Sequence, residues 1–96
     1  MTVDEALTLW QNKEAMIIDI RTKEEYQEGH IPDAPFIPVG ELESYLSELP
    51  ESEKVLLICS SGNRSGRTTG LLRSKGFENV DNIDGGMLAW RGPVVK

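Results

Sequence analysis

The stretch that most constrains this chain is Val55-Leu56-Leu57-Ile58-Cys59-Ser60-Ser61-Gly62-Asn63-Arg64-Ser65. Consecutive apolar residues running into the chain's one cysteine suit a strand buried on both faces of a parallel sheet. Arg64 to Lys75 contains no proline and can wind as a helix, so the segment reads as strand, tight loop and helix. Cys59 then stands at the carboxyl end of a strand, the edge where open α/β sheets bind their ligands. Ser60, Ser61, Gly62 and Asn63 are small enough to let the backbone curl. Successive N–H groups then turn toward the sulfur as an anion-binding nest, capped by the positive end of the helix. Such a nest, with Arg64 beside it, favours the thiolate, which is the nucleophilic form of cysteine. A lone cysteine at a strand end is more often a small buried hydrophobe. A core cysteine has no need of a glycine three residues on and an arginine five residues on, and that context favours a reactive thiol.

Two further stretches flank this loop. Asp19-Ile20-Arg21-Thr22-Lys23-Glu24-Glu25-Tyr26-Gln27-Glu28-Gly29-His30-Ile31 precedes it, and Gly85-Gly86-Met87-Leu88-Ala89-Trp90 follows it. With Cys-x-x-Gly-x-Arg-Ser at 59–65 they resemble, in the same order, the signatures of rhodanese-type sulfurtransferases over nearly the whole chain. The resemblance implies an α/β rhodanese-like fold: a small, mostly parallel central sheet of four to five strands flanked by helices on both faces, in a single domain over residues 1–96. It also implies sulfurtransferase activity without a cofactor, in which sulfane sulfur passes from a donor such as thiosulfate or a persulfide to a thiol or cyanide acceptor through a Cys59 persulfide. The acceptor thiol can belong to a protein. Family members use residues at the positions of Asp19 and Arg21 chiefly to support neighbouring loops. The Pro32–Pro38 segment departs from the family pattern, with Asp33 where glycine is usual and Phe36 where a polar residue, commonly asparagine, is usual. Phe36 is expected to exchange a loop-bracing hydrogen bond for packing.

Composition narrows the chemistry. Ninety-six residues suffice for one small domain with helices on both faces of a sheet. One cysteine and one histidine leave no internal disulfide, no Cys-x-x-Cys pair and no zinc or iron–sulfur ligand set. Apolar runs are too short to cross a bilayer and the N-terminus lacks a secretory signal, so a soluble, cytoplasmic protein is expected; a monomer is expected as well. A formal charge of -6 argues against general binding to nucleic acid or acidic membranes. The charge is unevenly spread: residues 1–58 hold 13 acids and 4 bases, residues 59–96 hold 3 acids and 6 bases. Arg64, Arg67, Arg73 and Lys75 follow the cysteine with no acid among them, which predicts a locally positive mouth that draws small anions. Arg67, Arg73 and Lys75 can also be a solvated helix face, and for Arg73 and Lys75, near the helix C-terminus, that reading is preferred.

Along the chain, Thr2-Val3-Asp4-Glu5 has the form of a capping box, and Val3, Ala6, Leu7 and Trp10 share a helical face. No strand is evident before it. Trp10 at that spacing is a packing residue. Ala15 to Asp19 reads as a strand parallel to the central one, ending in a carboxylate. Thr22-Lys23-Glu24-Glu25 is a second capping box, opening a short helix that Gly29 closes. His30 is tempting as a general base because its unperturbed pKa is near neutrality. Its place in Gly-His-Ile, at a helix exit, favours hydrogen bonding to the backbone, and it is grouped with Asp19, Arg21 and Arg67 as supporting. Leu42, Tyr45, Leu46 and Leu49 predict a third α-helix stopped by Pro50. Gly66 and Gly70 share a face of the helix behind the cysteine, which predicts close approach of helix to sheet. Val80 to Ile83 reads as a last strand.

In the reaction these residues suggest, Cys59 thiolate attacks the outer sulfur of the donor and holds it as Cys59-S-SH. Loop amides from Ser60 to Ser65 stabilise the sulfur anion, and Arg64 holds the donor's anionic end. The nearest enzymatic rival is a cysteine phosphatase or arsenate reductase. Enzymes of that kind place five residues between cysteine and arginine, and this chain places four. A third reading is a non-catalytic binding module of the same fold, which would not require a nucleophile.

Overall fold

The apolar run before Cys59 becomes the middle of a three-stranded parallel sheet. The computed structural model describes all 96 residues. In chain order the elements are α1 (Val3–Gln11), β1 (Ala15–Asp19), α2 (Lys23–Gln27), a 3₁₀ segment (Val39–Glu48), β2 (Lys54–Ile58), α3 (Asn63–Ser74), β3 (Val80–Asn82) and α4 (Gly86–Ala89). The spatial order is β1-β2-β3. Asp19 pairs with Ile58 and Asn82 with Leu57, so all three strands finish at one edge and Cys59 emerges there.

Alternation along the strands divides the interior into two cores. Val55, Leu57 and Cys59 lie with Ile18, Leu42, Leu72 and Val80 on one face, under the 3₁₀ segment and α3. Leu56 and Ile58 lie with Ala6, Ile17, Ile31 and Ile83 on the other, under α1. Val55 to Ile58 are all 0% exposed, and burying each such side chain contributes about 1.5–3 kcal/mol. β2 is therefore the fixed post from which the cysteine loop hangs. Trp10 packs on the second core and meets Trp90 edge to face at 6.0 Å, as a packing residue should.

Both predicted capping boxes form. Thr2 Oγ1 accepts from the Glu5 amide at 3.1 Å while Glu5 accepts from the Thr2 amide at 3.2 Å. Thr22 and Glu25 repeat the exchange at 3.3 and 3.0 Å.

Three expectations are corrected. The sheet has three strands and not four to five. At the β1 edge pairing stops after one parallel bridge, Asp19 with Phe36, made by Asp19 N–H to Pro35 O (2.9 Å) and Ile37 N–H to Asp19 O (2.9 Å). Pro35 and Pro38 have no N–H to extend that ladder. At the β3 edge Met1 alone pairs, donating to Asn82 O at 3.0 Å and accepting from Asp84 N–H at 2.7 Å. The third helix covers the sheet as expected but winds as 3₁₀, with Leu42 buried and Tyr45 40% exposed. Pro38 gives it no side-chain cap, and Gly40, Ser44, Tyr45 and Ser47 are poor α-helix formers. Gly66 and Gly70 do not mark close approach: a Cβ at Gly70 would meet nothing within 4 Å, and at Gly66 only the Asn82 side chain at ordinary contact distance.

Candidate active site at the end of the central strand

Two devices shape the loop after Cys59. Gly62 takes the left-handed conformation (φ 94°, ψ −7°) that begins α3, which turns the chain back over the sulfur. Behind the loop, Met87 N–H donates to Cys59 O at 2.8 Å and Leu88 N–H to Ser60 O at 3.0 Å. The first amides of α4 thus hold the loop carbonyls outward, leaving N–H groups to face in. Gly86 permits that approach: it has φ 56°, and a Cβ there would collide with the carbonyls of Cys59 and Ser60. These contacts make the Gly85-Gly86 turn the backing of the loop.

The thiol is the focus of the inward amides. Sγ accepts from Gly62 N–H at 3.1 Å, Ser65 N–H at 3.4 Å and Ser65 Oγ at 3.3 Å. Ser65 is the third residue of α3, so its amide is one that no helical carbonyl can use. Burial by itself pushes the Cys59 thiol up. The Ser65 hydroxyl and the amides of Ser65, Gly62 and Ser61 together outweigh it and hold the thiol below its ordinary value. Cys59 is 1% exposed and lies at the floor of the cup. Ser65 Oγ also donates to Asn82 Oδ1 on β3, and Asn82 Nδ2 donates to Asp84 at 3.1 Å.

Glu25 joins the rim to α2. Arg64 donates to it twice, Nη1 to Oε1 and Nη2 to Oε2, each at 3.0 Å. Ser60 Oγ donates to the same carboxylate and accepts from Arg64 Nη2 at 3.1 Å. The Arg64 fork holds the Glu25 carboxyl far below the usual carboxylate range, burial opposing and Ser60 adding to the effect. Glu25 in turn raises Arg64 above its ordinary value, against burial, and Cys59 adds to that.

Of the other predicted residues, Ser61 on the loop and Asn63 at the start of α3 are exposed. Asp19 and Arg21 form a buried pair beside α2: Arg21 donates to Asp19 through Nε at 3.0 Å and Nη2 at 2.8 Å, and to Gly29 O at 2.7 Å. His30 Nδ1 lies 2.9 Å from Tyr26 O, its backbone bridges to Val95, and its ring stacks on Tyr26 at 3.8 Å. Phe36 also stacks on the Tyr26 ring, the two centroids 4.6 Å apart. Arg67 is exposed, one turn along α3 from Arg64. The predicted positive mouth is corrected, because most of its charge is matched: Arg64 by Glu25, Arg73 by Asp81 at 3.8 Å and Lys75 by Glu43 at 3.4 Å. Only Arg67 of the four stands without an acidic partner.

Glu25 and Asn82 were not singled out from sequence. Glu25 already had a local explanation as a capping-box residue, and its partner is 39 positions away. The signal was available, since α2 starts at the strand edge where Cys59 emerges, and a lone loop arginine needs an anion there. No three His, Cys, Asp or Glu side chains come together as a metal site. The largest cavity, about 630 Å³, lies at the opposite end of the sheet, lined by Trp10, Met16, Asp33 and Glu53 among others. No helix is long and apolar enough to cross a membrane.

Relatives share this framework. The chain is 41% identical over 76 residues to Bacillus subtilis YrkF, spanning 79% of this chain and 41% of that longer protein. It is 35% identical over 82 residues to a sulfurtransferase of Allochromatium vinosum, spanning 85% of this chain and 77% of the other. A human single-domain sulfurtransferase superposes with a TM-score of 0.85 at 29% identity, covering 94% of this chain and 92% of that one. Sulfur transfer is thus the general chemistry with which the chain's relatives are associated. With the rhodanese-like domain matching residues 2–93, the chain belongs to the rhodanese-like domain family.

Proposed function

We propose that this chain is a sulfurtransferase that carries sulfane sulfur on Cys59. The observation that carries the reading is the convergence of the Gly62 and Ser65 amides and the Ser65 hydroxyl on one sulfur atom. Cys59 thiolate attacks the outer sulfur of a donor; the donor's S–S bond breaks, and the remainder leaves with the electron pair. The enzyme then holds Cys59-S-SH, whose anion is stabilised by the same fixed amides that stabilised the thiolate. A thiol, of a small molecule or a protein, or cyanide removes the sulfur and restores Cys59. Since the chain has no second cysteine, the acceptor comes from outside and the two half-reactions alternate.

The four-residue spacing from Cys59 to Arg64 favours this reading over a phosphatase. A shorter loop encloses fewer amides than a tetrahedral oxyanion needs, and Arg64 is engaged by Glu25. The test is initial-rate kinetics with varied donor and acceptor. Parallel ping-pong lines, abolished in Cys59→Ser, are expected. Phosphate ester hydrolysis by the wild type with no sulfur transfer would overturn the reading.

A further inference from the structure

The bidentate pair between Arg64 and Glu25 bears on which donor the site accepts. Three of the five guanidinium N–H groups are aimed at Glu25 and Ser60, and both charged side chains are 31% exposed at the rim. The carboxylate faces the thiol loop directly through Ser60 Oγ. With Cys59 as thiolate, the group of three charges meeting a donor is net negative. Arg73 and Lys75 are committed to their own acids, and Arg67 stands one helical turn away.

Resting on the sulfur-transfer reading, we infer that Glu25 is a specificity-determining residue, selecting hydropersulfide donors, R-S-SH, and disfavouring the thiosulfate dianion. For a hydropersulfide, Cys59-S⁻ attacks the outer sulfur, the donor's S–S bond breaks, and R-S⁻ leaves with the electron pair while the proton travels with the transferred sulfur in Cys59-S-SH. The transferred end is uncharged as it enters the cup. For thiosulfate the same attack expels sulfite, so both substrate and leaving group carry two negative charges. They do so beside a carboxylate whose counter-charge is already bound. Glu25 acts through charge at the rim and not by touching the reacting atoms.

The experiment compares kcat/KM for thiosulfate with that for cysteine hydropersulfide, which carries at most one net negative charge, using one thiol acceptor. Glu25→Gln removes the charge while keeping groups that can serve Thr22, Ser60 and Arg64. One unit of repulsion at a separation of about 6 Å, partly screened by salt, corresponds to about tenfold. The thiosulfate-to-hydropersulfide ratio is therefore expected to rise about tenfold in Glu25→Gln, and the variant's thiosulfate rate to depend less on ionic strength. Glu25→Ser, which removes the same charge with a smaller side chain, must move the ratio the same way and decides the matter if Glu25→Gln does not fold. An unchanged or lower ratio in the folded variant overturns the inference and leaves sulfur transfer standing. Failure of both donors to load Cys59 in the wild type would instead sink the sulfur-transfer reading.

Discussion

Removing the Ser65 hydroxyl tests how the thiol is held ionised. That hydroxyl has one proton and two acceptors, Cys59 Sγ at 3.3 Å and Asn82 Oδ1. The Asn82 amide is oriented by its own donation to Asp84 at 3.1 Å, so its oxygen is fixed toward Ser65. A hydrogen bond to a charged group contributes about 1.5–3 kcal/mol, and one that shares its proton falls at the lower end. At 1.36 kcal/mol per pH unit, Ser65→Ala should raise the Cys59 pKa by about one unit. Asn82→Ala leaves Sγ as the sole acceptor in reach and should lower it. The pH dependence of iodoacetamide alkylation, checked against thiolate ultraviolet absorbance, reads both variants. Loosening of the loop would move both in the same direction, so opposite signs are the informative result. If neither variant moves the pKa, the hydroxyl has no part in holding the thiolate and the cradle is amide alone.

Further outcomes follow from the rim and the glycines. The Glu25 carboxyl is depressed in the folded chain relative to its ordinary 4.5, so its contribution is present above that pH and is lost on acidification through the folded value. For a partly exposed bidentate pair this is about 1–2 kcal/mol; urea titrations from pH 7 to pH 3 should show part of that loss in the wild type, beginning below about pH 4.5, and a smaller fall in stability in Glu25→Gln. Gly86→Ala forces a left-handed alanine against the Cys59 and Ser60 carbonyls and should cost about 2–4 kcal/mol, measured by thermal melting, and should impair sulfur loading. Gly70→Ala should instead stabilise by about 0.5–1 kcal/mol in the same assay, because a methyl there meets nothing.

What could be read from the letters was what depends on neighbouring letters. The apolar runs set β1 and β2 because a doubly buried strand needs little else, and Thr2-Glu5 and Thr22-Glu25 marked helix starts because a capping box closes within four residues. Gly62 was legible because the turn over Cys59 requires a positive φ. The Leu42–Leu49 spacing fits α and 3₁₀ winding nearly alike over so short a span, and the weak formers around Gly40 tipped the outcome. The prolines either side of Phe36 limit its pairing to one rung. The pairs Glu25–Arg64 and Ser65–Asn82 join residues that only the sheet edge brings together, and Glu25 already had a local explanation in its capping box. Gly70 remains a helix-interior glycine for which the surrounding contacts give no reason.

Intact-mass spectrometry of the protein after brief exposure to a sulfane donor, with peptide mapping and a chase of acceptor thiol, bears most directly on Cys59 as a sulfur carrier. The expected result is one added sulfur, localised to Cys59, absent in Cys59→Ser and removed by the acceptor. An unmodified Cys59 in folded, reduced protein, under donor concentrations that persulfidate a free thiol, would contradict the account.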